Sequence, residues 1–423
     1  MMGGALPDGT PVIISGEHDG TVRVWRTADG TPVGEPLTGH DGPVTAVAAG
    51  ALPDGTPVII ISGGRDTQAW GSDGTVRVWR TADGTPAGEP LAGYGGAVSG
   101  VTAVAAGALL DGTPVIISGG GDTLAWGSAG TVRVWRTADG TPVGEPLTGH
   151  DGPVTAVAAG ALPDGTPVAI SGDRGGTVRV WRTADGTPVG EPLTGYGGAV
   201  SGVTAVAAGA LLDGTPVIII SGGRDTQAWG SDGTVRVWRT ADGTSVGDPL
   251  TGHGQVSAVA VAALPDGTPV IITSGGGTLG VWRLADGTRV GEPLAGHEGV
   301  TAVVGGALLD GTPVIISGGG DETVRVWRLA DRTQVGEPLT GHDGPVTAVA
   351  AGALPDGTPV IISGGRDRTV RVWRTTDGAP LVPPLDLPES VKAIAIDGNV
   401  IITAAGADIA VHQPALASPV RLT

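Results

Sequence analysis

The segment DGTVRVWRTADGT, first met at residues 19–31, returns almost letter for letter along the chain. The tryptophans that close its apolar core are Trp25, Trp79, Trp135, Trp181, Trp238, Trp282, Trp327 and Trp373. Self-similarity at a period of roughly 40–55 residues constrains the fold more than any local propensity does. Each unit is then one small supersecondary element that needs its neighbours for cover.

The second unit shows the pattern. VTAVAA (44–49) is a short apolar strand, and Pro53-Asp54-Gly55 turns the chain after it. VIIIS (58–62) is an almost wholly apolar second strand, predicted to be buried on both faces. TVRVW (75–79) is a third strand, TADGT (81–85) a tight turn, and GEPLAG (88–93) a short outer strand. Pro90 fits only where a strand has a free edge. Four such strands form a meander with two apolar faces. A ring of these sheets would cover every face.

Gly (78) and Pro (33) would suggest disorder if scattered, but they punctuate dense Val and Ile runs and read as turns. Phe is absent, so the core falls to Val, Ile, Leu, Ala and the repeated Trp. With no Cys, disulfides and thiolate metal sites are excluded, which fits a reducing, cytoplasmic setting. A formal charge of −18 disfavours nucleic acid and anionic membrane as partners. No apolar run approaches a membrane span of roughly 18 residues. MMGGALPDGT has neither the basic start nor the apolar stretch of a signal peptide. It matches residues 48–56, so the chain is expected to start inside a repeat, which suits the alternative that it is a module of a longer protein.

First strands begin at Val44, Val101, Val154, Val203, Val256, Val300, Val346 and Val391, whereas second and third strands occur nine times. The expectation is a single domain over 1–423. Residues 1–43 make an incomplete first blade lacking its inner strand unless Met1–Ala5 supplies a stub, 44–390 make seven blades, and 391–423 a divergent terminal blade with His412 at the Trp position. Nine blades are favoured over eight, because eight would leave residues 10–38 as an uncovered flap.

These residues resemble the WD40-repeat β-propeller family, here in a highly repetitive form expected to be bacterial. The resemblance rests on Gly-His ahead of the first strand (Gly39-His40, Gly149-His150, Gly252-His253, Gly296-His297, Gly341-His342), Ser ending the second, Asp in the next turn and Trp closing the third. The family's Trp-Asp is Trp-Arg in all eight copies, as in Trp79-Arg80. The resemblance implies an all-β fold of four-stranded antiparallel blades. It also implies a buried hydrogen-bonded network in each complete blade: His40, Ser62, Asp73 and Trp79; His297, Ser317, Asp321 and Trp327; His342, Ser363, Asp367 and Trp373. Asp66 competes for the role of Asp73. Ala129, Gly175 and Gly276 stand where Asp is expected, and Tyr94 and Tyr196 where His is.

His, Ser and Asp are also the members of a catalytic triad, but a trio repeated around an array reads as structural. Seven His, one per unit at most, do not gather as metal ligands, and no cofactor is expected. Asp54, Asp83 and their repeats, with Glu35, Glu89, Glu145, Glu191, Glu292 and Glu337, either make a cation-attracting rim or simply suit turns and outer strands. Arg23 and its repeats share a strand face with the Trp, as a cation–π pair or as a stem packed on its neighbour.

The units also carry insertions: residues 65–74, 121–130 and 224–233 between second and third strands, and GYGGAVSGV at 93–101 and 195–203. In a WD40-like fold both kinds emerge on one face. That groups Trp70, Trp126 and Trp229 with Tyr94 and Tyr196 as candidate binding residues, unless each Trp folds back as a lid on its own hairpin. The reading is a monomeric, non-enzymatic scaffold that binds a protein partner through this face. Carbohydrate recognition by the Trp loops, or a structural module of a longer protein, are the alternatives.

Overall fold

The computed structural model describes residues 2–5, 11–16, 22–26, 33–38, 44–63, 74–94, 100–122, 129–194, 202–211, 213–222, 233–251, 256–353, 358–386, 390–397, 400–405 and 408–412. These form nine antiparallel sheets and no helix. Each is a meander in sequence order, as expected when every strand is followed by an Asp-Gly or Gly-rich turn. The third sheet is typical: Val101–Ala108, Pro114–Asp122, Ala129–Arg136 and Leu147–His150. The first sheet does have an inner strand. Met2–Ala5 pairs with Pro11–Gly16, Met2 opposite Ile14 and Ala5 opposite Pro11.

Two compact units are distinguished: residues 1–24, 32–256 and 282–290, and residues 25–31, 257–281 and 291–423. The second to fifth sheets lie wholly in the first unit, the seventh to ninth wholly in the second.

Burial follows the strand patterns. Pro313–Gly319 is buried along all but its first residue, as a continuous apolar run requires. The third strands alternate, with Val324, Val326 and Trp327 inside and Arg325 half-buried. In the first unit, Val58, Ile60 and Val76 of the second sheet share a cluster with Val101, Ile116 and Trp135 of the third. In the second unit, Val314, Ile316 and Val324 share one with Val346, Ile361 and Trp373. Trp135 and Trp373 thus pack against the sheet before their own, and removing one would cost about 3–5 kcal/mol.

The fourth strands are shorter than GEPLAG suggests. In the second sheet the outer strand is Leu91–Tyr94, with a separate bridge from Trp79 to Pro86. In the fourth, fifth and seventh sheets it is reduced to bridges such as Val178 to Leu193, where each N–H meets the other's carbonyl at 2.9 and 2.8 Å. Pro188 and Pro192 have no N–H to give, so in the fourth sheet the contact is reduced to isolated bridges at Pro188 and Leu193.

One joint between sheets repeats. The second residue of an inner strand reaches the first carbonyl of the next inner strand. Thr155 Oγ1 donates to Val203 O at 2.7 Å, and Ser257 Oγ to Val300 O at 2.6 Å. Thr102 to Val154, Thr301 to Val346 and Thr347 to Val391 make the same bond.

Candidate functional site

The end of the second strand, the start of the third and the link from the preceding unit converge on one side-chain network. In the seventh sheet, His297 Nδ1 lies 2.7 Å from Asp321 Oδ1 and His297 Nε2 lies 2.9 Å from Ser317 Oγ. Trp327 Nε1 donates to the same Ser317 Oγ at 3.1 Å. The eighth sheet repeats this through His342, Asp367, Ser363 and Trp373, with distances of 2.8 Å throughout. A carboxylate only accepts, so His Nδ1 carries the proton and Nε2 accepts from the serine. Hydrogen bonds therefore run one way, from Trp through Ser and His to Asp.

Burial pushes the His297 and His342 pKa values below the ordinary 6.5, against the pull of their aspartates, so the rings favour the neutral form. Burial alone would raise the carboxyls. For Asp321 the His297 hydrogen bond and charge, with Thr323, outweigh it, and the pKa falls below 3.8. For Asp367 the Thr369 N–H and His342 do the same.

A third complete network lies in the fourth sheet. His150 meets Asp173 at 2.8 Å and Ser171 at 2.7 Å, and Trp181 Nε1 donates to Ser171 at 2.9 Å. The sequence alignment puts Gly175 in the Asp place and makes this unit incomplete. The structure corrects that. The hairpin Gly172-Asp173-Arg174-Gly175-Gly176 presents its carboxylate two residues after Ser171, where the other complete sheets use four. His150 and Asp173 side chains are fully buried. In the sixth sheet the link is only Gly276-Gly277, both at positive φ (58° and 88°), a tight hairpin with no side chain to offer.

The second-sheet network cannot be followed in the same way. His40, Asp66 and Asp73 lie outside the described residues, and Ser62 is described only as strand backbone. Trp79 is buried, and its Nε1 meets no partner among the described residues. In the third sheet Trp135 donates to Ser118 at 2.9 Å.

The arrangement holds the elements of a triad without the means to use them. Ser171, Ser317 and Ser363 are fully buried, and each hydroxyl already accepts a Trp N–H. A nucleophile needs a substrate within reach.

In the third and fourth sheets the arginine two residues before the Trp lies over the ring. Arg133 and Arg179 stand 5.9 and 5.7 Å from the centroids of Trp135 and Trp181. In the sixth sheet Gly280 replaces that arginine, and Arg289 of the facing outer segment covers Trp282 instead, at 4.5 Å. The glycine of Gly-His makes room for the guanidinium. Gly341, at φ 141°, would place a Cβ 2.8 Å from Arg371 Nη1.

The turn carboxylates are engaged locally. Asp54 accepts the Thr56 N–H at 2.9 Å, and Asp83 accepts both the N–H and hydroxyl of Thr85 at 2.9 and 2.7 Å. Bonds to Thr56 and Thr85 hold these two carboxyls below the ordinary value. No group of three or more His, Cys, Asp or Glu able to hold a metal occurs among the described residues.

Of the insertion residues, Trp70, Trp126, Trp229 and Tyr196 lie outside the described residues. Tyr94 is placed by its backbone, directly opposite Gly74. Gly74 is the first described residue after the segment that carries Trp70, so Tyr94 and the base of that loop share one end of the second sheet.

The chain was compared with known families and structures. The family described as WD domain, G-beta repeat matches residues 30–80, 140–182, 287–328 and 333–374. No curated protein sequence matches the chain. Among solved structures, the computationally designed Ika8 protein is similar at 22% identity and a TM-score of 0.56, over 90% of this chain and 99% of that one. The C-terminal WD40 domain of Sif2 is similar at 18% identity and a TM-score of 0.53, over 87% of this chain and 95% of that one. The four family matches, the repeated His–Ser–Asp–Trp networks and the nine small antiparallel sheets support a WD40-repeat β-propeller.

Proposed function

We propose that the chain is a non-enzymatic scaffold that binds a protein partner through the sheet ends bearing the insertions. WD40 propellers as a class serve such scaffolding roles. The reading rests on one observation above others: Tyr94 sits opposite Gly74, at the base of the loop that carries Trp70. Large aromatics carried by two insertions of one repeat suit a contact surface, where such residues carry much of the binding energy. The buried serines leave the repeated trio to stability, which supports the non-enzymatic part.

The test is a pull-down from the source cell with Trp70→Ala and Trp229→Ala, folding being checked by circular dichroism. Loss of a partner on both changes supports the reading. Retention of all partners sinks it and favours a purely structural module. A glycan array run with the same variants separates a sugar-binding surface, which would give a sugar-dependent signal lost on substitution.

A further inference from the structure

Fourteen Asp-Gly pairs lie wholly within the described residues, and twelve of them are tied down in one way. The Asp Oδ1 accepts the N–H two residues on, as Asp54 does from Thr56, Asp185 from Thr187 and Asp310 from Thr312, each at 2.9 Å. The glycine N–H donates back to a carbonyl: Gly55 to Leu52 O at 2.9 Å, Gly186 to Arg182 O at 3.0 Å, Gly311 to Leu308 O at 2.9 Å. The carboxylate and the following amide are thus both engaged, and neither is free to react with the other.

The two exceptions are Asp151-Gly152 and Asp343-Gly344. Both stand in a His-Asp-Gly-Pro run that leads from a network histidine to the next inner strand; a further copy at 40–43 lies outside the described residues. Each run is clamped at its two ends. His150 and His342 are held by Asp173 and Asp367 at 2.8 Å, and Pro153 O and Pro345 O accept the N–H groups of Arg174 and Arg366 at 3.0 and 2.9 Å. Between the clamps, Asp151 and Asp343 are exposed, and their carboxylates meet no partner among the described residues. The N–H groups of Gly152 and Gly344 meet none there either. The cause lies in the sequence: two residues after the Asp these runs have proline, which has no N–H to give the carboxylate.

An unheld pair of this kind has an intramolecular reaction open to it, and glycine leaves the attacking nitrogen unshielded. The Gly nitrogen attacks the Asp Cγ. An N–C bond forms, a carboxyl C–O bond breaks, and the oxygen leaves as water with the amide proton and the acid proton. Water then adds to the cyclic imide. Opening at the side-chain carbonyl restores Asp. Opening at the main-chain carbonyl gives isoaspartate, whose backbone runs through Cβ and Cγ and whose free carboxylate sits on Cα. We propose that Asp151-Gly152 and Asp343-Gly344 are sites of this spontaneous modification in the folded protein. The product has one more backbone atom between the two clamps, which pulls His150 and His342 away from Asp173 and Asp367. The inference does not depend on the binding surface proposed above.

The experiment incubates the full chain at neutral pH in water enriched in heavy oxygen, folded and in urea, and separates the digested peptides. An isoaspartyl peptide elutes apart from its aspartyl parent and carries heavy oxygen from the ring opening. In the folded chain Asp151 and Asp343 should convert at least about tenfold faster than Asp54, Asp185 and Asp310, whose turns must first open. In urea the difference should vanish, because every Asp-Gly pair is then equally free. The aged parent should also unfold at lower urea than an equally aged Asp151→Glu, Asp343→Glu variant, which keeps both charges but cannot close the same ring. The proposal is overturned if the two links convert no faster than the turns, if their advantage persists in urea, if no heavy oxygen enters, or if aged parent and variant unfold alike.

Discussion

The Asp173 carboxylate lies 2.8 Å from His150 Nδ1, reached from a hairpin that places it two residues after Ser171. The same contact in the eighth sheet, Asp367 to His342, comes from four residues after Ser363. The network is therefore defined by where a carboxylate ends up, not by a fixed column in the repeat.

Asp173→Ala should destabilise the protein by about 3 kcal/mol, because it leaves the fully buried His150 without its acceptor. Gly175→Asp, which restores the aligned pattern, should also destabilise. Its Cβ would lie 3.2 Å from Asp173 Oδ1 and bring a second carboxylate beside the first. Urea midpoints of the two variants check this, and a stabilising Gly175→Asp would contradict it.

Acid should weaken the fold in two stages. His297 and His342 have folded pKa values below 6.5, so the unfolded chain takes up protons first as pH falls. Their contribution is complete above about 6.5 and declines below it. Asp173, Asp321 and Asp367 have folded values below 3.8, so their contribution holds above about 3.8 and is lost as pH falls through the folded values. Unfolding midpoints measured from pH 8 to 3 should show both declines. A flat profile between pH 7 and 5 would count against neutral buried histidines.

Gly341→Ala should cost about 2 kcal/mol, from strain at φ 141° and from a Cβ 2.8 Å from Arg371 Nη1. Gly299→Ala, at φ 152° with nothing within 4 Å of the added carbon, carries backbone strain alone and should cost less. Thermal melts of the pair decide whether the close approach matters.

Thr155→Val removes the hydroxyl that bonds Val203 O at 2.7 Å and keeps the shape of the side chain. A loss of about 1 kcal/mol is expected, with Thr155→Ser close to the parent. Equal stability of all three would remove this bond from the account of how neighbouring sheets are joined.

Much of this was legible in the sequence. Strands and turns were, because dense Val and Ile runs stop at Pro-Asp-Gly and Ala-Asp-Gly. The His297 and His342 networks followed from the family resemblance. Asp173 was missed because a shorter path to the same point shifts it out of register. Arg289 was missed because it covers Trp282 from the outer segment, replacing the side chain that Gly280 lacks. The Thr155 bond was missed because its partner lies in another sheet, and a Thr in an alternating strand looks ordinary. Its one signal was the Val-Thr pair that opens most inner strands. The outer strands were overdrawn because their prolines interrupt the ladder more than a free edge alone implies.

The Thr155 type of joint has one further meaning. At each described seam of this kind, a hydroxyl one step into an inner strand meets the carbonyl that opens the next. A copy spliced into the array would arrive with both halves of this joinery, the socket at its leading valine and the peg just behind. The number of units can then drift by duplication or loss while every remaining seam closes as before.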